Sequence, residues 1–275
     1  MLDVIDNFFS SVSNFLWGYV LVFALLGVHL YLTLLLRVPQ RHLFRGIACS
    51  LRRRAEGNSI SQYASLAVTL AANIGTGNIV GVAVGLAMGG PGAVFWCMLV
   101  GFLGMAARYS ESLLAVRYRQ LDDEGNLVGG PMYAIEKGLK CKWLAVVFAV
   151  CTAVAAFGVG NITQANAAAR VLNESAISVP TWFSGLLLAA LTGLVLLGGL
   201  RAIARVCSAF VPIMTLVYII GCTLVLGVHA EYVLPALERI WESAFTDQAA
   251  TGGFIGSTIM LAMQVGVKRG LFSNE

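Results

Sequence analysis

Residues 58–107 contain no Asp, Glu, Lys or Arg. A charge-free stretch of 50 residues is long enough for two bilayer crossings, since one helical crossing takes about 20 apolar residues. Its first crossing carries NIGTGN, residues 73–78, near mid-span, where a helix should be strongest. Glycine weakens a helix interior and bares backbone groups. At membrane depth such groups persist only where they line a protein-buried or wet cavity. The pattern therefore predicts a broken helix beside a solute site, the arrangement in which discontinuous transmembrane helices hold solutes and ions.

Composition supports an all-α integral membrane protein. The chain has 275 residues, 58% hydrophobic and 12% charged, whereas soluble domains run to about 25% charged. No basic stripe with interleaved aromatics stands in a polar setting, so nucleic acid is not a partner. The six cysteines are scattered, without CxxC or a neighbouring His cluster, and read as small hydrophobes rather than metal or redox groups. No HExxH, no GxxxxGK[ST] and no membrane-placed Ser/His or Ser/Lys pair is present. The chain is not expected to be an enzyme or to carry a cofactor.

Charge-free runs mark seven spans, at 15–36, 62–88, 93–107, 143–169, 181–200, 206–228 and 248–267. The third is expected to continue as helix to Arg117, with Arg108 and Glu111 one turn apart near water. The flank before the first span has Asp3 and Asp6 and no basic residue, so it reads as a retained helix and not a signal peptide. With the N-terminus outside, 16 of the 18 basic residues fall in inside-facing segments, and only Arg170 and Arg239 fall outside. That asymmetry sets the orientation and places residue 275 in the cytoplasm of a multi-pass protein of the cell membrane. Within the polar segment 118–142, GGPM at 129–132 predicts a turn into a short helix. Pro235 and ALERIWESAF predict an amphipathic helix on the outer surface.

Three elements are candidates for chemistry. At GTGN, 75–78, half-helix amide groups would face an anion such as a carboxylate. Freed carbonyls and the Thr76 hydroxyl would face a hard cation such as Na+, with Asn73 and Asn78 adding uncharged amides. Gly77, Gly81 and Gly85 also form a small-residue ridge suited to helix packing, and both roles are expected on different faces. In the fourth span Asn161 and Gln164 share a helix face, with Asn166 turned away. Interhelical hydrogen bonding and ligand contact both remain open for that pair. TGGFIGS at 251–257 again breaks an apolar run with Gly252, Gly253 and Gly256, five spans after the first break, as inverted five-helix repeats require. His29 stands alone in an apolar span and is read as packed against a hydroxyl or carbonyl. Trp17, Trp143 and Trp182 are read as belt aromatics near span ends.

The stretches GTGNIVGVAVGLAMGGPGAVFWCMLVGFLGMAARYSE, GGPMYAIEKGL and VKRGLFSNE resemble the alanine/glycine:cation symporter family, also called sodium:alanine symporters, over essentially the whole chain. The resemblance implies a leucine-transporter-like, five-plus-five inverted-repeat fold preceded by one extra helix. It implies Na+-coupled symport of alanine or glycine by alternating access, with the lipid bilayer, substrate and Na+ as partners. The substrate contacts then fall on Asn73, Gly75, Thr76, Gly77, Asn78, Gln164, Gly253 and Gly256, and Na+ contacts on Gly75 and Thr76. Residues 1–60 would be the extra helix and a basic loop, 61–230 the first repeat, and 231–275 an outer helix and the first helix of the second repeat. Because the family motif runs on past SNE, a truncated chain is expected, and a non-transporting membrane fragment or interaction partner is the alternative.

Overall fold

The computed structural model describes residues 2–51, 61–121, 125, 127–158, 161–175, 178–245 and 259–273. They are helical apart from one two-stranded hairpin and short connections. They fall into two compact units, Met1–Met105 with Gly198–Glu275, and Ala106–Leu197.

In the first unit, α1 (Leu2–Phe15) passes through a π turn, Leu16–Val20, into α2 (Leu21–Leu35). The helix thus begins well before the charge-free run, and Trp17 lies inside it rather than at its end. A 3-10 turn, Pro39–His42, leads to α3 (Leu43–Ser50). The second expected span is split into α4 (Gln62–Asn73) and a π turn, Gly77–Gly81, continued by α5 (Val82–Gly89). The GGP turn follows, with Gly90 at φ 69, a left-handed conformation that suits glycine. It starts α6 (Gly92–Arg117), which ends where the sequence places it.

The rest of this unit comprises α11 (Gly199–Val228), α12 (Ala230–Phe245) and α13 (Ile259–Ser273). Val22, Val100, Met263 and Val267 form a buried cluster, flanked by Leu26 and Trp96, which joins α2, α6 and α13. α4 packs along α11. There Tyr63 Oη donates to the Ser208 carbonyl at 3.4 Å, the carbonyl whose helical donor Pro212 removes. α12 is the expected helix around Pro235 and ALERIWESAF, and it docks on α6. The Gly92 N–H donates to Ser243 Oγ at 3.1 Å, and Phe95 meets Trp241 and Phe245 edge to face with centroids 5.6 and 5.0 Å apart.

The second unit starts with the remainder of α6. Its exposed Arg108 and Glu111 pair at 2.9 Å, as their spacing predicts. A hairpin follows, β1 (Gln120–Leu121) antiparallel to β2 (Leu127–Val128), which no residue pattern announced. GGPM then opens α7 (Pro131–Gly138), the expected short helix. Gly138 lies against Tyr118, where a Cβ would come within 3.2 Å of Cζ. α8 (Lys142–Gly158), α9 (Asn161–Glu174) and α10 (Thr181–Leu197) complete the unit.

Four helical stretches among the described residues are long and apolar enough to cross a membrane: Asp6–Leu35, Gly92–Arg117, Lys142–Glu174 and Gly199–Val228. The bent pair Gln62–Asn73 and Gly77–Gly89 makes a fifth, and Thr181–Leu197 is apolar but shorter. Set against seven expected spans, the second is interrupted by its glycines. The fifth is one short helix, and much of the seventh lies outside the described residues.

Candidate functional site

The side chain of Ser61 starts α4 by accepting from the Ala64 N–H at 3.2 Å. The helix holds until Ile74 N–H donates to the Leu70 carbonyl at 2.8 Å. Ile74 itself is extended, at φ −90 and ψ 97, and the ladder stops there. Helix resumes at Gly77 as a π turn, and the two halves are bent by 46°. The break therefore falls on the residues whose propensity argues against helix, and wide π turns recur at functional positions.

Asn78 stitches the break. Its N–H donates to the Gly75 carbonyl at 3.1 Å, and its Nδ2 donates to the Asn73 carbonyl at 2.8 Å. The carbonyl that α4 leaves open at its end is thereby satisfied from within the motif. The Asn73 side chain is in the opposite situation, since its Oδ1 is buried and lacks a hydrogen-bond partner among the described residues. An orphaned buried acceptor costs about 1–3 kcal/mol, so this oxygen is poised for a donor or a cation. Thr76 is helical at φ −61 and ψ −23 and makes no capping hydrogen bond with its side chain. Residues 73–78 are all half-buried. Asn73, Gly75, Thr76, Gly77 and Asn78 are thus brought together as one element. Among the described residues no cluster of His, Cys, Asp and Glu offers a harder metal site.

Beyond the break, Gly81, Gly85 and Gly89 are buried. α5 packs on α13. A Cβ at Gly89 would stand 2.9 Å from Val265 Cβ, and one at Gly85 would stand 3.2 Å from Arg269 Cγ. The small-residue ridge therefore exists at Gly81 and Gly85 and runs on to Gly89. α13 answers with its own glycine, because a Cβ at Gly266 would stand 2.5 Å from the Ala93 carbonyl oxygen. α13 packs on the π turn Gly77–Gly81 as well as on α5. α13 also reaches the π turn of the first helix. Gln264 Nε2 donates to the Gly18 carbonyl, and Lys268 Nζ lies 5.4 Å from the centre of the Trp17 ring.

Of the other candidates, Asn161 uses its Nδ2 on the Ala156 carbonyl at 3.0 Å, bridging α8 and α9. Gln164 and Asn166 are exposed on α9, in the second unit. Gly253 and Gly256 lie outside the described residues. His29 is buried, and its ring lies 3.7 Å from where a Gly104 Cβ would be. Its carbonyl accepts from Thr33 Oγ1 at 2.7 Å. Reasoning from sequence missed the Asn78–Asn73 stitch. Its only signal is a pair of asparagines five apart across two glycines.

A sequence profile described as the sodium:alanine symporter family matches residues 2–275. An uncharacterized transporter of Haemophilus influenzae is 43% identical over 98% of this chain and 60% of its own length. The sodium/alanine symporter AgcS of Methanococcus maripaludis is 41% identical over 97% of this chain and 59% of its own. The probable sodium/glutamine symporter GlnT of Bacillus subtilis is 33% identical over 100% of this chain and 57% of its own. The chain thus spans about three fifths of the length of the relatives it matches. With its apolar helices, its broken second span and a profile match from end to end, the chain belongs to the sodium:alanine symporter family.

Proposed function

We propose that this chain builds the part of a Na+-coupled symporter for small neutral amino acids that receives substrate and ion at residues 73–78. The observation that carries this reading is the helix break with the buried, unpartnered Oδ1 of Asn73 beside it. The substrate carboxylate meets the amide end of the helix resuming at Gly77, and Na+ takes oxygens from the Gly75–Thr76 stretch. Gln164 contacts the substrate from α9, and Gly253 and Gly256 of the seventh span contribute to the substrate site. Alanine or glycine is the preferred substrate, since backbone and short side chains leave little room for bulk and no charge awaits a charged side chain. The names of the relatives, sodium/alanine and probable sodium/glutamine symporters, support Na+ coupling and a neutral substrate.

The fold is a leucine-transporter-like inverted repeat, with 1–60 as the extra helix, 61–230 as the first repeat and 231–275 opening the second. It sits in the cell membrane with the N-terminus outside and residue 275 in the cytoplasm, as the basic residues suggest. Binding of Na+ and of substrate each favours the other's bound state, and the bundle then rocks inward.

Equilibrium binding of radiolabelled alanine to the purified protein, in Na+ and in choline, tests the reading. Saturable binding in Na+ that is lost in choline is the expected result. Binding of equal strength in both salts ends Na+ coupling, and absence of binding in either ends the assignment of the site.

A further inference from the structure

A second feature of the first unit lies at the end of α2. Arg37 and Val38 both take left-handed backbone, at φ 55 and 57, which is costly for a β-branched residue. Among the bonds that hold that turn, Val38 N–H donates to the Thr33 carbonyl at 2.8 Å, and the buried Gln40 donates through Nε2 to the Phe102 carbonyl of α6 at 3.1 Å. The chain is thereby diverted from α2 into α3.

On α3 and its cap, Leu43, Phe44, Ile47 and Leu51 lie along one stripe, and all are exposed, Phe44 at 83%. Arg45 lies off the stripe, and Arg37, Arg41, Arg52, Arg53 and Arg54 flank the helix in sequence. Between Asp6 and Glu56 there is no acidic residue. A short helix with an uncovered apolar stripe and unbalanced arginines matches the interface of a bilayer whose headgroups carry phosphate. Guanidinium groups bind phosphate oxygens in bidentate fashion.

We propose that α3 with Arg37, Arg41 and Arg45 forms a docking surface for anionic phospholipid headgroups, with Phe44 and its stripe sunk at the boundary of headgroups and acyl chains. This rests on membrane embedding alone and stands whether or not the protein transports. The charge complementarity selects lipid over a protein cover, because an apolar cover would leave the positive charges of Arg37, Arg41 and Arg45 without an anion.

Hydrogen exchange of the whole protein in nanodiscs tests the proposal. One set contains phosphatidylcholine alone, and the other contains phosphatidylcholine with phosphatidylglycerol. Amides of residues 43–51 are expected to exchange at least tenfold more slowly with phosphatidylglycerol, an effect weakened by 0.5 M NaCl. Each basic residue near an anionic surface contributes about 1 kcal/mol, or roughly fivefold. R41Q/R45Q should therefore remove most of the gain while residues 92–117 keep their protection, which shows that the variant is folded. Equal exchange in the two lipids overturns the proposal. If both are fast the surface is free, and if both are slow a neutral cover occupies the stripe. Unchanged lipid dependence in R41Q/R45Q likewise overturns it.

Discussion

The side-chain amide of Asn78 donates to the backbone carbonyl of Asn73 across the break that the two residues bracket, at 2.8 Å. A helix that stops in a membrane leaves carbonyls without donors, and in hydrocarbon water cannot supply them. Asn78 supplies one from five residues ahead, so the break is a held conformation. Asn73 keeps its own Oδ1 out of that stitch. Two adjacent amides thus divide the work, one stabilising the backbone and the other offering an acceptor.

That division predicts opposite phenotypes. Asn78→Ala strands a buried carbonyl and should cost about 1–3 kcal/mol of stability, visible as a lower melting temperature in detergent. Asn73→Ala removes no hydrogen bond made by Oδ1 and should melt close to the wild type. Its apparent affinity for alanine in Na+ should nevertheless fall at least tenfold. A pair of variants that lose stability and affinity together would reduce both residues to structural roles.

A second prediction separates the glycines of close packing from those in open space. A Cβ at Gly266 would meet the Ala93 carbonyl oxygen at 2.5 Å and Trp96 Cβ at 2.7 Å, whereas nothing lies within 4 Å of one at Gly27. Overpacking of a fitted interface costs about 1–3 kcal/mol. Gly266→Ala and Gly89→Ala should therefore lower the fraction of monodisperse protein after heating, and Gly27→Ala should not. Equal heat resistance in all three would mean that α13 is not seated on α5 and α6 as described.

The third prediction concerns Tyr63 and Pro212. Proline at 212 removes the N–H that would bond the Ser208 carbonyl, and Tyr63 Oη donates there instead. Tyr63→Phe should cost about 1 kcal/mol. In a Pro212→Ala background the new backbone N–H at 212 takes over the carbonyl, and Tyr63→Phe should become nearly silent. Additive costs in the double-mutant cycle would show that the two residues do not share that carbonyl.

Much of this arrangement was legible because it is local. Glycines at 75 and 77 oppose helix wherever they stand, and the helix ends beside them. Arg108 and Glu111 sit one turn apart on any helix, and they pair. Charge-free runs are blind to amphipathic helices, so α1 was missed. Its apolar positions 4, 5, 8, 9, 12 and 15 repeat with helical period among polar residues. Gln40 with Phe102, Gln264 with Gly18 and Tyr63 with Ser208 join residues far apart in the chain. Such contacts depend on how helices pack, and no local spacing encodes them. The stitch by Asn78 is intermediate: its residues are only five apart in sequence, but its bond requires the extended Ile74 that only the folded backbone shows.

The last prediction decides the role of Gln164. Its neighbour on the same face, Asn161, is already used on the Ala156 carbonyl, while Gln164 is exposed on α9. Hydrogen bonds between membrane helices are worth about 0.6 kcal/mol on average, so losing a purely structural contact should change affinity little. A group that bonds substrate in a dehydrated site is worth about 1–3 kcal/mol, roughly tenfold to a hundredfold in affinity. Gln164→Ala should therefore weaken Na+-dependent alanine binding at least tenfold with near-normal expression. Asn166→Ala, two residues further along the same helix, is the matched control with a small effect. Identical behaviour of the two variants would remove Gln164 from the substrate site and leave the break at residues 73–78 to hold the ligand without α9.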